Sequence, residues 1–299
     1  MHRAWLLILF VMNMSLAAPI PVSIVWPLNP GSNQANYIRT IIAQSNTQQS
    51  KYVFTFESRV GGGGQVAVGH TLSARPGAVV LSTPSSFFIR PLYYPNESYN
   101  VSDFAPVLIE CQDLPYIVVS KKYKSFDELK QQKSLTVGAI LGHQTEVVAR
   151  QLQKLLPNTE IIIVGYNSTS APTKDVLGGV LDLNIDVPSS AVPWIEGHNL
   201  NAIGSTGVAN NKLFPTFASQ HIRGFEHLTS DYMMLVRADT APEVIKELHD
   251  ILFEANKFNY VLYGYDYSIP ANLNLNETVE FFNKDHVKWK NLIKNDPAH

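Results

Sequence analysis

The sequence predicts an α/β fold of two lobes, each built on a mainly parallel sheet flanked by helices, with a cleft between the lobes. Three observations carry this expectation. Short β-rich runs alternate with helical stretches, the pattern of strands joined by crossover helices. The alternation comes as two series, separated by a charged connection and followed by long closing helices. And 299 residues, 45% of them hydrophobic, are more than one simple core needs and enough for two.

The first series opens with residues 21–26 (PVSIVW), a loop through Pro30-Gly31-Ser32, and a helix over 34–44. Residues 52–58 (YVFTFES) alternate apolar and polar as a strand does; a glycine loop at 60–64 and a helix over 65–74 follow. Residues 77–81 give the next strand, and 82–86 turn into another helix start. The second series begins after 114–120 (LPYIVVS), with 121–133 as a charged, helix-rich connection. Strands are expected at 135–139, 160–166, 180–186 and 201–205. Between them lies a helix over 145–156, whose Val147, Val148, Gln151 and Leu155 share one face. A second helix opens at Lys174 and stops at Gly178-Gly179, and a third follows Pro188-Ser189-Ser190. A strand at 230–237 and amphipathic helices at 241–257 and 277–293 close the chain. The expected division puts residues 19–120 and 229–299 in lobe 1 and 121–228 in lobe 2.

Residues 1–18 read as a signal peptide: His2 and Arg3, an apolar run from Ala4 to Met12, and the small-x-small pattern Ser15-Leu16-Ala17. That run is shorter than the ~20 residues a bilayer span requires. The protein is therefore expected to be exported, with its signal peptide removed.

Composition excludes several classes of function. Charged residues are 16% of the chain, and 23 Lys and Arg against 25 Asp and Glu give a net charge of −2. No basic excess is available to neutralise nucleic-acid phosphates or an acidic membrane face. The single cysteine, Cys111, excludes an intramolecular disulfide and a Cys-rich metal site, and no two of the nine histidines stand at ligand spacing on one helix. Neither a metal nor a cofactor is expected. There is no Gly-x-Ser-x-Gly elbow, no Gly-x-x-x-x-Gly-Lys-Ser/Thr loop and no His-Glu-x-x-His. Gly62-x-Gly64-x-x-Ala67 formally matches a dinucleotide fingerprint, but residues 79–83 (VVLST) lack the acidic residue for the ribose. Two readings of this loop remain: a tight turn, or a helix start offering free N–H groups to an anion. Asp182 and Asp186 stand four apart on one strand face, as an acid/base pair or as separate solvated groups.

Pro30-Gly31-Ser32, Ser85-Ser86, Gly142-His143-Gln144 and Ser168-Thr169-Ser170 each put small or polar residues at a helix start. Singly, each is an ordinary N-cap. Together, on loops at one end of the sheets, they describe a cleft lined by neutral donors.

Several stretches resemble one family, the substrate-binding (Bug) proteins of bacterial tripartite tricarboxylate transporters. Residues 164–186, VGYNSTSAPTKDVLGGVLDLNID, are similar to that family's pattern at Asp175, Leu177, Gly178, Gly179, Asp182 and Asp186. Residues 57–64 (ESRVGGGG) resemble its glycine loop, and Asp103-Phe104-Ala105-Pro106-Val107 and Ile89-x-Pro91-x-x-Tyr94 match it. Pro30-Gly31 with Arg39, and residues 202–207 (AIGSTG), extend the likeness over nearly the whole chain. The sequence departs from the family at Ala35, Val60, Arg90 and Asn167.

The resemblance implies a type II-like periplasmic binding protein that closes around a small organic carboxylate and performs no catalysis. The expected ligand-binding residues are Asn29, Ser32, Ser85, Ser86, Gly142, His143, Gln144, Tyr166, Asn167, Ser168 and Asp186. Asp186 either accepts from the ligand or caps the following turn, and Arg90 either clamps a second carboxylate or lies at the surface. The implied partners are the acid and membrane transporter subunits, for a periplasmic monomer. The alternatives are an exported sensory binding protein and an exported α/β enzyme, the latter disfavoured by the missing nucleophile and metal constellations.

Overall fold

The computed structural model describes residues 18–94, 96, 99–168, 170–209, 211–263 and 269–294, so the signal-peptide expectation for residues 1–17 lies outside the described residues. Among the described residues no helix is long and apolar enough to cross a membrane.

In chain order, the first lobe begins with β1 (Ile20–Trp26), α1 (Asn33–Gln48), β2 (Tyr52–Ser58), α2 (Gln65–Ser73), β3 (Val79–Pro84), α3 (Ser86–Tyr93) and β4 (Phe104–Leu114). The second comprises β5 (Ile117–Ser120), α4 (Phe126–Leu129), β6 (Ser134–Ile140), α5 (Gln144–Leu155), β7 (Glu160–Tyr166), α6 (Ser170–Gly178), β8 (Leu183–Asp186), α7 (Pro188–Glu196) and β9 (Asn201–Ser205). The chain then returns through β10 (Ser230–Arg237), α8 (Pro242–Tyr263), β11 (Ile269–Pro270) and α9 (Leu275–Lys294).

The strands form two sheets, in the orders β11-β4-β10-β3-β1-β2 and β7-β6-β8-β5-β9. β5, which the sequence placed at the end of lobe 1, pairs with β8 and β9, so the sheets divide between Leu114 and Ile117. Both sheets are mixed rather than mainly parallel. β1 runs parallel to β2 and β3, and β6 to β7 and β8, whereas β10 is antiparallel to β3 and β4, and β5 to β8 and β9. The reason is directional. β5 and β10 each enter a lobe from the crossing segments and run away from the cleft, against strands whose carboxyl ends point into it. The two crossings are joined to each other: Tyr116 N donates to Thr206 Oγ1 and Thr206 N to the Tyr116 carbonyl, both at 2.8 Å.

Local chemistry explains the elements that face the cleft. β3 is buried at every position, as a central strand covered on both faces must be. α1 starts where the Ser32 side chain accepts from Ala35 N, and its Ile38, Ile41 and Ile42 turn inward. α8 covers that face, held by Tyr37 Oη to Asn256 Oδ1 at 2.7 Å and by His249 Nδ1 against the Val107 carbonyl at 2.7 Å. The connection expected to be helix-rich holds only the single turn α4, because Phe126 and Leu129 are the buried residues of that turn and residues 130–133 offer no apolar face to continue it. One apolar cluster runs from Phe87 and Ile89 in the first lobe to Val137 and Leu152 in the second.

Candidate functional site: an uncharged cavity between the lobes

The carboxyl ends of the parallel strands of both lobes meet at a cavity of about 230 Å³. That is somewhat below the usual range for a ligand site, about 300–1,000 Å³, and suits a small ligand. The first lobe supplies Trp26 and Leu28 from the end of β1, the loop and first turn of α1 through Gln34, Leu114 from β4, and Tyr232 from β10. The second supplies His143, Ser168, Val187, Ser189 and Ser190. No Asp, Glu, Lys or Arg lines the wall among the described residues.

Three helices begin at this wall. Ser32 caps α1, and Asn29 Oδ1 accepts from Gly31 N at 2.9 Å, fixing the loop before it. His143 caps α5: its Nδ1 accepts from Thr145 N at 3.3 Å, which leaves the ring proton on Nε2. Burial lowers the imidazole pKa to about 3, so His143 is neutral. α7 begins at Pro188, and Asn33 Nδ2 donates to the Ser189 carbonyl at 3.2 Å, joining the starts of α1 and α7 across the cleft. Helix starts carry unpaired N–H groups and the positive end of the helix dipole, which together favour an anion.

Two buried carboxyls lie directly behind this wall. Glu110 Oε2 accepts from Gln34 Nε2 at 2.6 Å and its Oε1 from Ser82 Oγ at 2.7 Å; burial raises its pKa to about 7 against those hydrogen bonds. Asp186 accepts from Thr173 Oγ1 and Ser190 Oγ at 2.7 Å each and from Val187 N at 2.8 Å. It therefore ties the starts of α6 and α7 together and caps the turn it precedes. Asp182 is engaged separately, by Thr136 N and Oγ1 at 3.0 Å, so the two aspartates form no acid/base pair.

Of the expected ligand-binding residues, the structure brings Asn29, Ser32, His143 and Ser168 onto one wall. Ser85 is spent pinning α3 to β10: its Oγ accepts from Asp231 N at 3.0 Å. Ser86 faces a separate crevice beside Gly63 and Gly64. Gly142 N donates to Glu146 Oε2 at 2.6 Å, Gln144 Nε2 to Ser230 Oγ at 3.1 Å, and Tyr166 Oη to Asp175. Asn167 is exposed outside the cavity.

Arg90 is neither a cavity clamp nor a free surface residue. It reaches from α3 to the Leu141 carbonyl at 3.0 Å and stacks over Tyr94, whose hydroxyl meets Glu146 Oε2 at 3.3 Å. A Cβ on Gly63 would lie 2.3 Å from the guanidinium, and one on Gly142 2.8 Å. The glycine loop is thus a tight turn shaped around an arginine that joins the lobes.

The residues that sequence reasoning missed divide by signal. Ser189 and Ser190 follow Pro188 at a helix start and obey the rule that found Ser32. Trp26, Leu114 and Tyr232 sit in strands whose local pattern says only that they are buried.

The comparisons with known proteins agree with this architecture. No family model matches the sequence. Protein BugT of Bordetella pertussis is 22% identical over 97% of this chain and 96% of its own. In sequence the chain is similar to a Bug protein, and in fold it matches solved periplasmic binding proteins. The structure of the periplasmic binding protein BugD superposes with a TM-score of 0.80 at 18% identity, covering 92% of this chain and 97% of the other. MatC of Rhodopseudomonas palustris, solved with bound malate, superposes with a TM-score of 0.80 at 16% identity over 91% and 98%. The chain thus shares the fold of solved periplasmic binding proteins.

Proposed function

We propose that the protein is an exported, periplasmic receptor that captures a small organic carboxylate in the interlobe cavity and delivers it to membrane transporter subunits. The observation that carries the reading is the convergence of the α1, α5 and α7 starts, from both lobes, on one uncharged cavity. Such a site holds a carboxylate through N–H groups, hydroxyls and the Nε2–H of His143, without a cation. Closure of the lobes around the ligand removes water and strengthens those dipoles. The malate-bound relative adds support, since its fold is the same.

The test is a thermal-shift screen of protein unfolded and refolded to strip carried ligand. A ligand at a hundred times its Kd contributes about 2.7 kcal/mol to the folded state, a rise of several degrees in Tm. Carboxylates are expected to raise Tm and their amides are not; equal shifts with both would overturn the reading. Delivery is tested by co-purification with a membrane permease in the presence of the ligand, and its absence would leave a receptor of another kind.

A further inference from the structure

The cavity wall combines polar residues of the helix starts with largely apolar side chains, and the ionisable groups directly behind it are carboxyls. The Asn33–Ser189 hydrogen bond draws the starts of α1 and α7 together, so their donors converge on one place rather than two. Trp26, Leu28, Leu114, Val187 and Tyr232 form the rest, with the Trp26 and Tyr232 rings 6.0 Å apart between centroids. No described lining residue carries a positive charge, and the nearby cation Arg90 is engaged with the Leu141 carbonyl and Tyr94. Behind the wall stand Glu110, bonded to Gln34 in the first lobe, and Asp186, bonded to Ser190 in the second. A ligand with one carboxylate gains the helix starts and covers the apolar wall. A second carboxylate would leave water without a cation on the wall to meet it, with only carboxyl groups behind that wall.

We propose that this cavity selects small acids with a single negative charge on an apolar body and discriminates against di- and tricarboxylates. This rests on the carboxylate-receptor reading and narrows it to a substrate class. Leu28, half-buried on the wall, is then a specificity-determining position: its apolar side chain stands where a second charge would need a partner.

The experiment is calorimetric titration of the refolded full-length mature protein at pH 7.5 with two pairs matched in carbon number, butyrate with succinate and hexanoate with adipate. A fifth probe, adipate monoamide, separates charge from polarity. The expected result is that the monoanion of at least one pair binds at least tenfold tighter than its dianion, with the monoamide above adipate. Succinate or adipate binding as tightly as its partner overturns the inference and leaves the receptor reading standing. Binding of none of the five overturns both. The second arm is Leu28→Arg, with folding checked by circular dichroism. It is expected to bring adipate to at least parity with hexanoate, and an unchanged preference in a folded variant overturns the electrostatic cause.

Discussion

Glu110 gives the sharpest quantitative test of the environment behind the cavity. Its carboxyl is fully buried, accepts from Gln34 and Ser82, and has its pKa raised by burial from 4.5 to about 7. Between those values the folded protein keeps a proton that the unfolded chain has released. The contribution to stability is therefore complete below pH 4.5 and is lost as pH rises through 7. At about 1.4 kcal/mol for each pH unit of that interval, the loss is about 3 kcal/mol. The perturbation is Glu110→Gln, which cannot titrate, nearly preserves volume, and can still bond Gln34 once that amide turns over. Urea denaturation of both proteins is followed by circular dichroism from pH 4.5 to 8.5, and the variant's stability is subtracted from the wild type's at each pH. This difference removes every other titrating group, including the buried Asp231. It is expected to fall by about 3 kcal/mol across the range. A difference that is flat, or that rises with pH, would refute the reasoning, since a rise means that the hydrogen bonds outweigh burial.

Three further outcomes are expected. His143 carries the opposite sign: with its pKa lowered from 6.5 to about 3, the unfolded chain binds a proton the folded chain refuses. Relative to the capping variant His143→Asn, wild type should lose about 2 kcal/mol between pH 6.5 and 4.5 in the same denaturation assay. Arg90→Ala removes an interlobe contact without touching the cavity wall, so it should weaken ligand binding about three- to tenfold by calorimetry while free-protein stability changes by under about 1 kcal/mol. Lys288 meets Asp231 at 3.2 Å and also pairs with Asp285, both carboxylates being buried. Lys288→Met leaves them unpaired and should cost about 3–5 kcal/mol by denaturation, with the Asp231→Asn background recovering part of the loss.

The local pattern alone was enough for many elements. The strands β2, β7, β9 and β10 occupy the expected residues, since alternating or continuous apolar runs bounded by turn residues are a local signal. The same holds for the caps at Ser32 and His143, whose side chains accept from N–H groups two or three residues on. Sequence also determined that the cleft would be neutral, because charged residues are scarce and the helix starts carry Asn, Ser and His. The direction of β5 and β10 was not legible, because a strand's own residues do not record whether the chain arrives from the cleft or leaves it. Nor was the use made of each polar residue. Ser85 and Ser32 both stand at helix starts, yet Asp231, 146 residues away in the chain, occupies the first while the second caps its own helix. Arg90 was open to two readings in sequence, and the Leu141 carbonyl, 51 residues away, gives it a third. A helix start is written locally, but whether it faces a cavity or a partner depends on which remote groups the packing brings within 3 Å, and only the tertiary structure fixes that.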